Sequence, residues 1–261
     1  MLRSSLAALL LGALITSVAG CAVTREPLVL DPSPSASSMP SASPTRTPTP
    51  TPAPTPSPTF DRAARSIDDP ASAWVVVNKL RPLQPADFVP PNLRVARIAA
   101  TQQLEMRDGT ATAAEAMFAD AAAAGVPLRI TSAYRSFESQ ARINRQLVQQ
   151  LGQERADIAS ARPGHSEHQT GLAIDVGALS GTCELDACFG TTPQGLWLVE
   201  NAYRYGFILR YPDGLTAITG YAYEPWHWRY VGVELATEMR ETGVATLEEF
   251  FGLPPAPAYA G

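Results

Sequence analysis

The stretch SEHQTGLAIDV, from Ser166 to Val176, indicates more about this chain than any other part of it. It places His168 and Asp175 on either side of a glycine, and its second half has the alternating character of a strand. A later run, EPWHW, supplies Glu224 and His227. The chain has only three histidines, and two of them lie in these runs beside carboxylates. Two imidazoles and one carboxylate, with a second carboxylate left over, are typical of a catalytic zinc site, so the sequence predicts a zinc hydrolase.

In this hypothesis the zinc ligands are His168, Asp175 and His227, and one coordination position stays with water. The metal lowers the pKa of that water, and Glu224 is close enough along the chain to accept its proton as general base. In an ideal strand, residues three positions apart face opposite sides of the sheet. Glu224 and His227 can therefore converge only if Pro225 marks a bend or a bulge.

Each of these residues also has a structural alternative. His168 and His227 could be hydrogen-bonded core residues, Asp175 a turn residue, and Glu224 a surface charge. The occurrence of both short runs in a chain with so few histidines favours the metal site over four separate coincidences. His165 is expected to be a partly exposed loop residue, because a fourth protein ligand would close the site to water.

The N-terminus has the pattern of an export signal. Arg3 gives a short basic start, residues 6–19 are uncharged and rich in leucine and alanine, and small residues precede Cys21. We predict a bacterial lipoprotein signal peptide at residues 1–20, with a lipidated Cys21 that anchors the protein in the membrane. The alternative is a retained transmembrane anchor, but the apolar run is slightly short for a span, and a span does not explain the cysteine.

A tract rich in proline, serine and threonine follows at residues 31–60. Such a composition cannot bury a core and favours extended polyproline II, which would reach roughly 90 Å. We predict that residues 21–65 form a disordered stalk. It would hold a single domain at residues 66–261 on the extracytoplasmic side of the membrane, in the cell-wall space.

The composition narrows the classes of partner. The length left after the stalk suffices for one domain with its own core, and we expect a monomer. The formal net charge is −5 and no basic run is present, which argues against nucleic-acid binding.

The three cysteines form an odd set for an exported protein. If Cys21 is lipidated, Cys183 and Cys188 remain, and in an oxidising compartment they favour a local disulfide. A cysteine-ligated metal is the alternative, but it would need further ligands nearby in the sequence.

Helices and short strands are mixed along the folded part, which predicts an α+β domain. Thr112 with Glu115 would form a capping box, and an Asp-Gly turn after residue 212 indicates antiparallel pairing. The predicted strands are 75–77, 128–133, 172–176, 207–211 and 221–230. The predicted helices are 112–124, 136–151, 193–205 and 233–242, and the second has an apolar face of Ile143, Leu147, Val148 and Leu151.

The run ARPGHSEHQTGLAIDV, together with EPWHW, resembles the VanY-type D-alanyl-D-alanine carboxypeptidases, which belong to the LAS group of zinc peptidases. The upstream segment ITSAYRSFESQ is similar to that family as well, and the resemblance covers nearly all of residues 73–252. The family's metal and catalytic motifs fall on Ser166, His168, Gly171, Asp175, Glu224 and His227. The fold that it implies is a small α+β domain whose central antiparallel sheet carries the zinc site and is flanked by helices.

The resemblance also implies roles for residues outside the ligand set. Arg135 would stabilise the developing oxyanion or the carboxylate of the substrate, since a guanidinium is a permanently charged array of donors. Gln140 and Ser166 would bind the substrate peptide through hydrogen bonds. The alternatives are a surface ion pair of Arg135 with Glu138, and a loop or cap role for Ser166.

These inferences predict a membrane-anchored zinc D,D-carboxypeptidase that removes the terminal D-alanine from peptidoglycan stem peptides. On the same scaffold, the alternatives are an L,D-carboxypeptidase, a D,D-dipeptidase or a wall endopeptidase. A non-catalytic zinc-bearing wall-binding module is a further alternative, although it would not need Glu224. The Ser-x-x-Lys motif of penicillin-type serine enzymes is absent, so beta-lactams are not expected to acylate the protein.

Overall fold

The structure of the protein is a computed structural model, and it describes residues 60–100 and 102–260. The predicted signal peptide, Cys21 and nearly all of the predicted stalk lie outside the described residues. Phe60 stacks on Trp74 with ring centroids 5.5 Å apart, so packing contacts begin upstream of the domain start predicted at residue 66. None of the described helices is long and apolar enough to cross a membrane.

The strands form two sheets, and all strand pairs within them are antiparallel. The larger sheet has four strands in the order β3-β4-β6-β5, and the smaller one pairs β1 with β2. The strands are β1 (Leu93–Val95), β2 (Glu105–Arg107), β3 (Leu128–Ser132), β4 (Ala173–Ala178), β5 (Phe207–Leu209) and β6 (His227–Tyr230). The predicted α+β class with a central antiparallel sheet is confirmed.

Helices surround the larger sheet. The α-helices in the described residues are α1 (Asp108–Ala123), α2 (Phe137–Leu151), α3 (Gln153–Ala159), α4 (Pro193–Asn201), α5 (Thr216–Thr219), α6 (Val233–Thr242) and α7 (Leu247–Phe250). The predicted helix at 233–242 is confirmed to the residue. The one predicted at 193–205 is α4 continued by a 3-10 turn.

The main core lies between α1 and one face of the four-stranded sheet. Met117 of α1 packs in one cluster with Ile130 of β3, Ile174 of β4 and Trp228 of β6, all almost fully buried. Side chains alternate between the faces of a strand, so the neighbours of Ile174 and Trp228 in the chain point away from this core. Two of those neighbours, Asp175 and His227, are predicted metal ligands.

The predicted strand at 75–77 is wrong, although its valines are buried as a strand's would be. The carbonyl oxygens of Ala73 and Val75 accept hydrogen bonds from the guanidinium of Arg229, at 3.0 and 2.8 Å. A side chain thus satisfies the backbone groups that a neighbouring strand would otherwise bind.

The predicted capping box of Thr112 and Glu115 is also wrong. Helix α1 begins at Asp108, so Thr112 lies inside it and donates a hydrogen bond to the Asp108 carbonyl. Glu115 accepts hydrogen bonds from the Arg94 guanidinium at 2.6 Å and from the Arg97 backbone at 2.9 Å. The Glu115 carboxylate therefore pairs with Arg94, from an earlier strand, and is not available for a capping box.

The long strand predicted at 221–230 is reduced to its last four residues. Before β6 the chain makes a turn in which the His227 amide donates to the Glu224 carbonyl at 3.0 Å. The bend expected at Pro225 is therefore present. The disulfide between Cys183 and Cys188 is present as well.

Candidate metal centre

Two of the predicted ligands lie on adjacent strands of the four-stranded sheet. Asp175 of β4 is the direct cross-strand partner of His227 of β6. Both side chains point away from the main core, and both are about 95% buried. The Asp175 Oδ1 and His227 Nδ1 atoms are 3.3 Å apart. The sheet ladder itself thus sets the spacing of these two groups.

The third ligand, His168, lies in a short 3-10 helix at Glu167–Thr170, which leads into β4. Gly171 makes the turn between them with a φ of 67°, a left-handed conformation that glycine adopts without strain. A Cβ at this position would lie 3.0 Å from Arg107 Cγ and 3.2 Å from Arg107 N. Glycine at position 171 is therefore required for both conformation and space, and its turn brings His168 Nε2 to 3.3 Å from Asp175 Oδ2.

The donor set fits a divalent transition metal. One ligand atom from each of His168, Asp175 and His227 lies within 4.8 Å of the others. In a tetrahedral zinc site with bonds of about 2.0–2.1 Å, ligand atoms are roughly 3.3 Å apart. Each imidazole lies 3.3 Å from the Asp175 carboxylate, His168 Nε2 from Oδ2 and His227 Nδ1 from Oδ1. Asp175 Oδ1 is buried and has no hydrogen-bond partner among the described residues. A cation bound between the three groups would supply that partner.

Both imidazoles present one nitrogen to the cluster, and a hydrogen bond fixes this orientation for His168. His168 Nδ1 lies 2.7 Å from the Ala133 carbonyl oxygen, which can only accept, so Nδ1 carries the proton and Nε2 is free to bind metal. His227 presents Nδ1 to Asp175, and its Nε2 lies 3.5 Å from Glu167 Oε2. In zinc sites, the histidine nitrogen that faces away from the metal commonly lies against a carboxylate.

Glu167 also belongs to this site, although the sequence did not indicate it as a site residue. Its side chain is fully buried, and Oε1 accepts hydrogen bonds from Arg210 Nε at 2.9 Å and from Arg229 Nη1 at 2.7 Å. Arg210 also binds Glu248 through two hydrogen bonds of 2.9 and 2.7 Å. The only signal in the sequence was the position of Glu167 next to His168, because its partners come from β6 and from distant loops.

The electrostatics of the cluster favour a bound cation. Burial lowers the pKa of His227, but the carboxylates of Asp175 and Glu167 outweigh it and raise that pKa to about 9. Burial also raises the pKa of Asp175, yet His168 and His227 hold it well below the ordinary range. The two carboxylates thus stabilise positive charge beside His227, whereas burial lowers the pKa of His168.

Glu224 lies beside the ligands without belonging to the group of three. Its Oε2 is 3.7 Å from His227 Nδ1, in the turn that precedes β6. Burial is the main cause that raises the pKa of Glu224 to about 7, and Asp175 adds to it. A carboxylate whose pKa lies near neutrality can take a proton and release it again, as a general base and acid must.

Arg135 lies on the other side of Asp175, with Nη2 4.0 Å from Asp175 Oδ2. It does not pair with Glu138, the alternative considered from the sequence. Its Nη1 donates to Gln140 Oε1 at 2.8 Å, and Gln140 Nε2 donates to the Ala161 carbonyl at 2.6 Å. The Gln140 side chain is fully buried. The structure thus places Gln140 behind Arg135, where it orients the guanidinium, and not at the cavity surface where a substrate contact was predicted.

A cavity of about 450 Å³ opens over the ligands. Ser166 lines it and is 96% buried, next to the 3-10 helix. Tyr211 also lines it, and its ring lies 4.8 Å from the His227 ring. His165 is partly exposed, as expected, and its Nδ1 lies 2.8 Å from the Asn78 carbonyl oxygen. The cavity therefore joins the predicted ligands, Glu224 and Arg135 in one space.

Known proteins are similar to this chain in sequence and in fold. The family profile of VanY, described as D-alanyl-D-alanine carboxypeptidase, matches residues 103–233. The putative carboxypeptidase YodJ of Bacillus subtilis (strain 168) is 40% identical over 190 residues, which cover 71% of this chain and 69% of that protein.

Two solved structures are similar as well. The LdcB LD-carboxypeptidase matches with a TM-score of 0.66 at 39% identity, over 70% of this chain and 87% of that one. A mutant of the vancomycin-resistance D,D-pentapeptidase VanY in complex with Zn(II) matches with a TM-score of 0.57 at 33% identity, over 67% and 97% of the two chains. The resemblance seen in the sequence is confirmed, and the chain belongs to the VanY family of D-alanyl-D-alanine carboxypeptidases.

Proposed function

We propose that the protein is a zinc-dependent D,D-carboxypeptidase that removes the terminal D-alanine from peptidoglycan stem peptides. One observation carries this proposal: His168, Asp175 and His227 converge within 4.8 Å at a cavity that also contains Glu224. Three protein ligands leave a coordination position open, which distinguishes a catalytic zinc site from a structural one. The zinc bound to the related VanY structure supports the choice of metal.

Zinc in this site would polarise the carbonyl of the cleaved bond and lower the pKa of water. Glu224 accepts the proton of the attacking water and returns it to the amine that leaves. Arg135 is oriented by Gln140 towards the cavity, where its charge can bind the terminal carboxylate of the peptide or the developing oxyanion. Ser166, on the cavity wall, is placed to bind the peptide through a hydrogen bond.

The second candidate is an L,D-carboxypeptidase that acts on tetrapeptides. The LdcB LD-carboxypeptidase has a higher identity and a higher TM-score than the zinc-bound VanY structure, which favours this alternative. A non-catalytic wall-binding module is a weaker candidate, because it would have no use for a buried carboxylate beside the ligands.

We also propose that the protein acts at the outer face of the bacterial membrane. The small residues before Cys21 support a lipid anchor on that cysteine, and the Pro/Ser/Thr tract supports a stalk that reaches into the wall. The Cys183–Cys188 disulfide is consistent with an oxidising compartment outside the cytoplasm.

The function can be tested by incubating the purified protein with a stem pentapeptide and a stem tetrapeptide and following released alanine by mass spectrometry. Release from the pentapeptide, abolished by a chelator and restored by zinc, supports the D,D assignment. Release from the tetrapeptide alone moves the assignment to the L,D class. If neither peptide is cleaved in the presence of zinc, the proposed function is wrong.

A further inference from the structure

The apolar face of α2 does not pack in the protein core. Gln140 is the only fully buried residue of this helix. Ile143 and Leu147, which the sequence analysis placed on an apolar face, instead line the catalytic cavity. An amphipathic helix normally buries its apolar stripe against other elements of the fold. Here part of that stripe borders the space into which the substrate must enter.

A second apolar side chain lines the same cavity, and it comes from the loop that follows β4. Leu185 lines the cavity and is 50% exposed. Its φ is 52°, in the left-handed region that a leucine rarely adopts. A non-glycine residue keeps this strained backbone conformation only where contacts with the surrounding structure stabilise it.

The contacts that hold Leu185 are local. Cys183 and Cys188 are joined by the disulfide, which closes a small ring around it. Glu184 Oε2 forms an ion pair with Arg129 Nη2 of β3 at 2.7 Å, which fastens the loop to the sheet. The Asp186 side chain accepts a hydrogen bond from the Cys188 amide at 2.8 Å. The loop is thus fastened on both sides of Leu185, and its exposed side chain is held at the cavity.

We infer that the disulfide-bonded loop 183–188 forms one edge of the substrate groove and contributes to the choice of substrate. Leu185 contacts, with Ile143 and Leu147, an aliphatic side chain of the stem peptide on the N-terminal side of the cleaved bond. This inference rests on the proposed function. It names the part of the substrate that the apolar side of the cavity, formed by Ile143, Leu147 and Leu185, would bind.

The distribution of polarity in the cavity selects this occupant. Arg135, Glu224 and the metal ligands form the polar part, which suits the cleaved bond and the terminal carboxylate. The apolar wall of Ile143, Leu147 and Leu185 offers no hydrogen-bond partner to a carboxylate. It can instead remove the surface of an aliphatic side chain from water. The wall is continuous with the catalytic centre in one cavity of about 450 Å³, within the range of sites that enclose ligands larger than a single alanine. The chain that precedes the cleaved bond is the part of the peptide left to fill it.

The test compares two matched pentapeptides, one with lysine and one with alanine at the third position. The lysine side chain extends three methylenes beyond the β-carbon that both peptides share. The variant is L185N, because asparagine tolerates the left-handed conformation, so the loop backbone is kept while the apolar group is removed. The double variant C183S/C188S keeps Leu185 but releases the loop. L196N replaces a leucine that is 57% exposed and lies outside the cavity lining, and it is the matched control.

We expect the wild-type protein to cleave the lysine peptide with the higher kcat/KM. L185N should reduce the ratio of the two kcat/KM values by about fivefold, mainly through KM, and the double serine variant should reduce it in the same direction. L196N should leave the ratio unchanged. If tetrapeptides are the substrates, the same pair without the last D-alanine is used.

An unchanged ratio in both L185N and the double serine variant would overturn the inference. It would also be overturned if both peptides lost the same factor, because the loop would then act on the catalytic centre and not on substrate choice. These outcomes differ from a failure of the proposed function, in which the wild-type protein cleaves neither peptide.

Discussion

Asp175 and His227 are cross-strand partners in the ladder between β4 and β6, and their Oδ1 and Nδ1 atoms lie 3.3 Å apart. Backbone hydrogen bonds on both strands therefore determine where two of the three ligand groups stand. His168 joins them through one glycine turn. Sites built on strands are held more closely than sites on loops, which suits a metal whose ligands must converge within a few tenths of an ångström.

The first prediction concerns the proton-transfer role of Glu224. E224Q keeps the shape of the side chain but removes its basicity, so kcat/KM should fall by about 10²–10⁴-fold. Zinc affinity, measured by competition with a chromophoric chelator, should remain within a few-fold of wild type. E154Q, at an exposed position of α3, is the control for the chemistry of the substitution. Full activity in E224Q would remove the general base from the mechanism.

The second prediction concerns Gln140 as the residue that orients Arg135. Q140A removes the 2.8 Å hydrogen bond to the guanidinium, so kcat/KM should fall by about tenfold. In the background of R135A, the same change should have little further effect on activity, since the two residues act through one contact. Q149A, on the exposed side of α2, is the matched control. Additive losses in the double variant would mean that Gln140 acts independently of Arg135.

The third prediction concerns Glu167 behind His227. E167Q leaves the side chain in place but weakens the carboxylate that faces His227 Nε2, so zinc affinity should fall by about 10–100-fold. The variant should also lose stability, because Arg229 stays buried without its counter-charge and Arg210 keeps only Glu248. Chelator competition and urea unfolding measure the two effects separately. E138Q, at an exposed position, serves as control, and wild-type zinc affinity in E167Q would contradict the assigned role.

The fourth prediction separates two requirements for glycine. Gly125 and Gly171 both have positive φ, at 78° and 67°, but a Cβ at Gly125 has nothing within 4 Å. G125A should therefore cost only the left-handed conformation, about 1 kcal/mol of unfolding free energy. G171A adds contacts of 3.0–3.2 Å with Arg107 and should cost about 3 kcal/mol and weaken zinc binding. Equal losses in the two variants, measured by urea unfolding, would show that the close packing around Gly171 relaxes freely.

The fifth prediction concerns pH and the buried ion network. Burial raises the pKa of Glu248, but the charge of Arg210 and hydrogen bonds from Arg210 and Asn78 outweigh it and hold that pKa below its ordinary value. A lowered folded-state pKa means that the ionised Glu248 stabilises the fold above the unfolded-state pKa of about 4.3. That contribution is lost as the pH falls through the folded-state pKa.

Urea unfolding of wild type and E248Q at several pH values tests this sign. The variant should be less stable by about 3 kcal/mol at pH 7, and the difference should shrink below pH 4.3 or so. E234Q, at an exposed position of α6, should show neither effect. A difference that grows as the solution becomes more acidic would contradict the direction of the pKa shift.

Local signals in the sequence were sufficient for several elements. Ser136 accepts a hydrogen bond from the Ser139 amide as the N-cap, and Gly152 ends the helix, so α2 begins one residue after the predicted start and ends where predicted. Thr192 caps α4 in the same way, with Pro193 in the first turn. Caps and helix-ending glycines act on neighbouring residues, and for that reason they can be recognised without knowledge of the fold.

Long-range partners were the cause of the errors. Residues 75–77 have the composition of a buried strand, but the Arg229 guanidinium binds the carbonyl groups of Ala73 and Val75. Ile143 and Leu147 have the periodicity of a core face, but the fold leaves that face at the cavity. In both cases the residue pattern indicates burial or amphipathic character correctly. It does not contain the identity of the neighbour, which comes from segments far away in the chain.

In the candidate site, too, some features follow from local sequence and others from long-range contacts. The sequence by itself determined which residues can bind zinc, because imidazole and carboxylate groups in two short runs limit the ligand set by chemistry. Only the tertiary structure decided that Glu167 stands behind His227, that Gln140 supports Arg135 and that Leu185 reaches the cavity. Each of these contacts joins side chains from separate segments, and such contacts exist only after the backbone ladder and the packed core have brought those segments together.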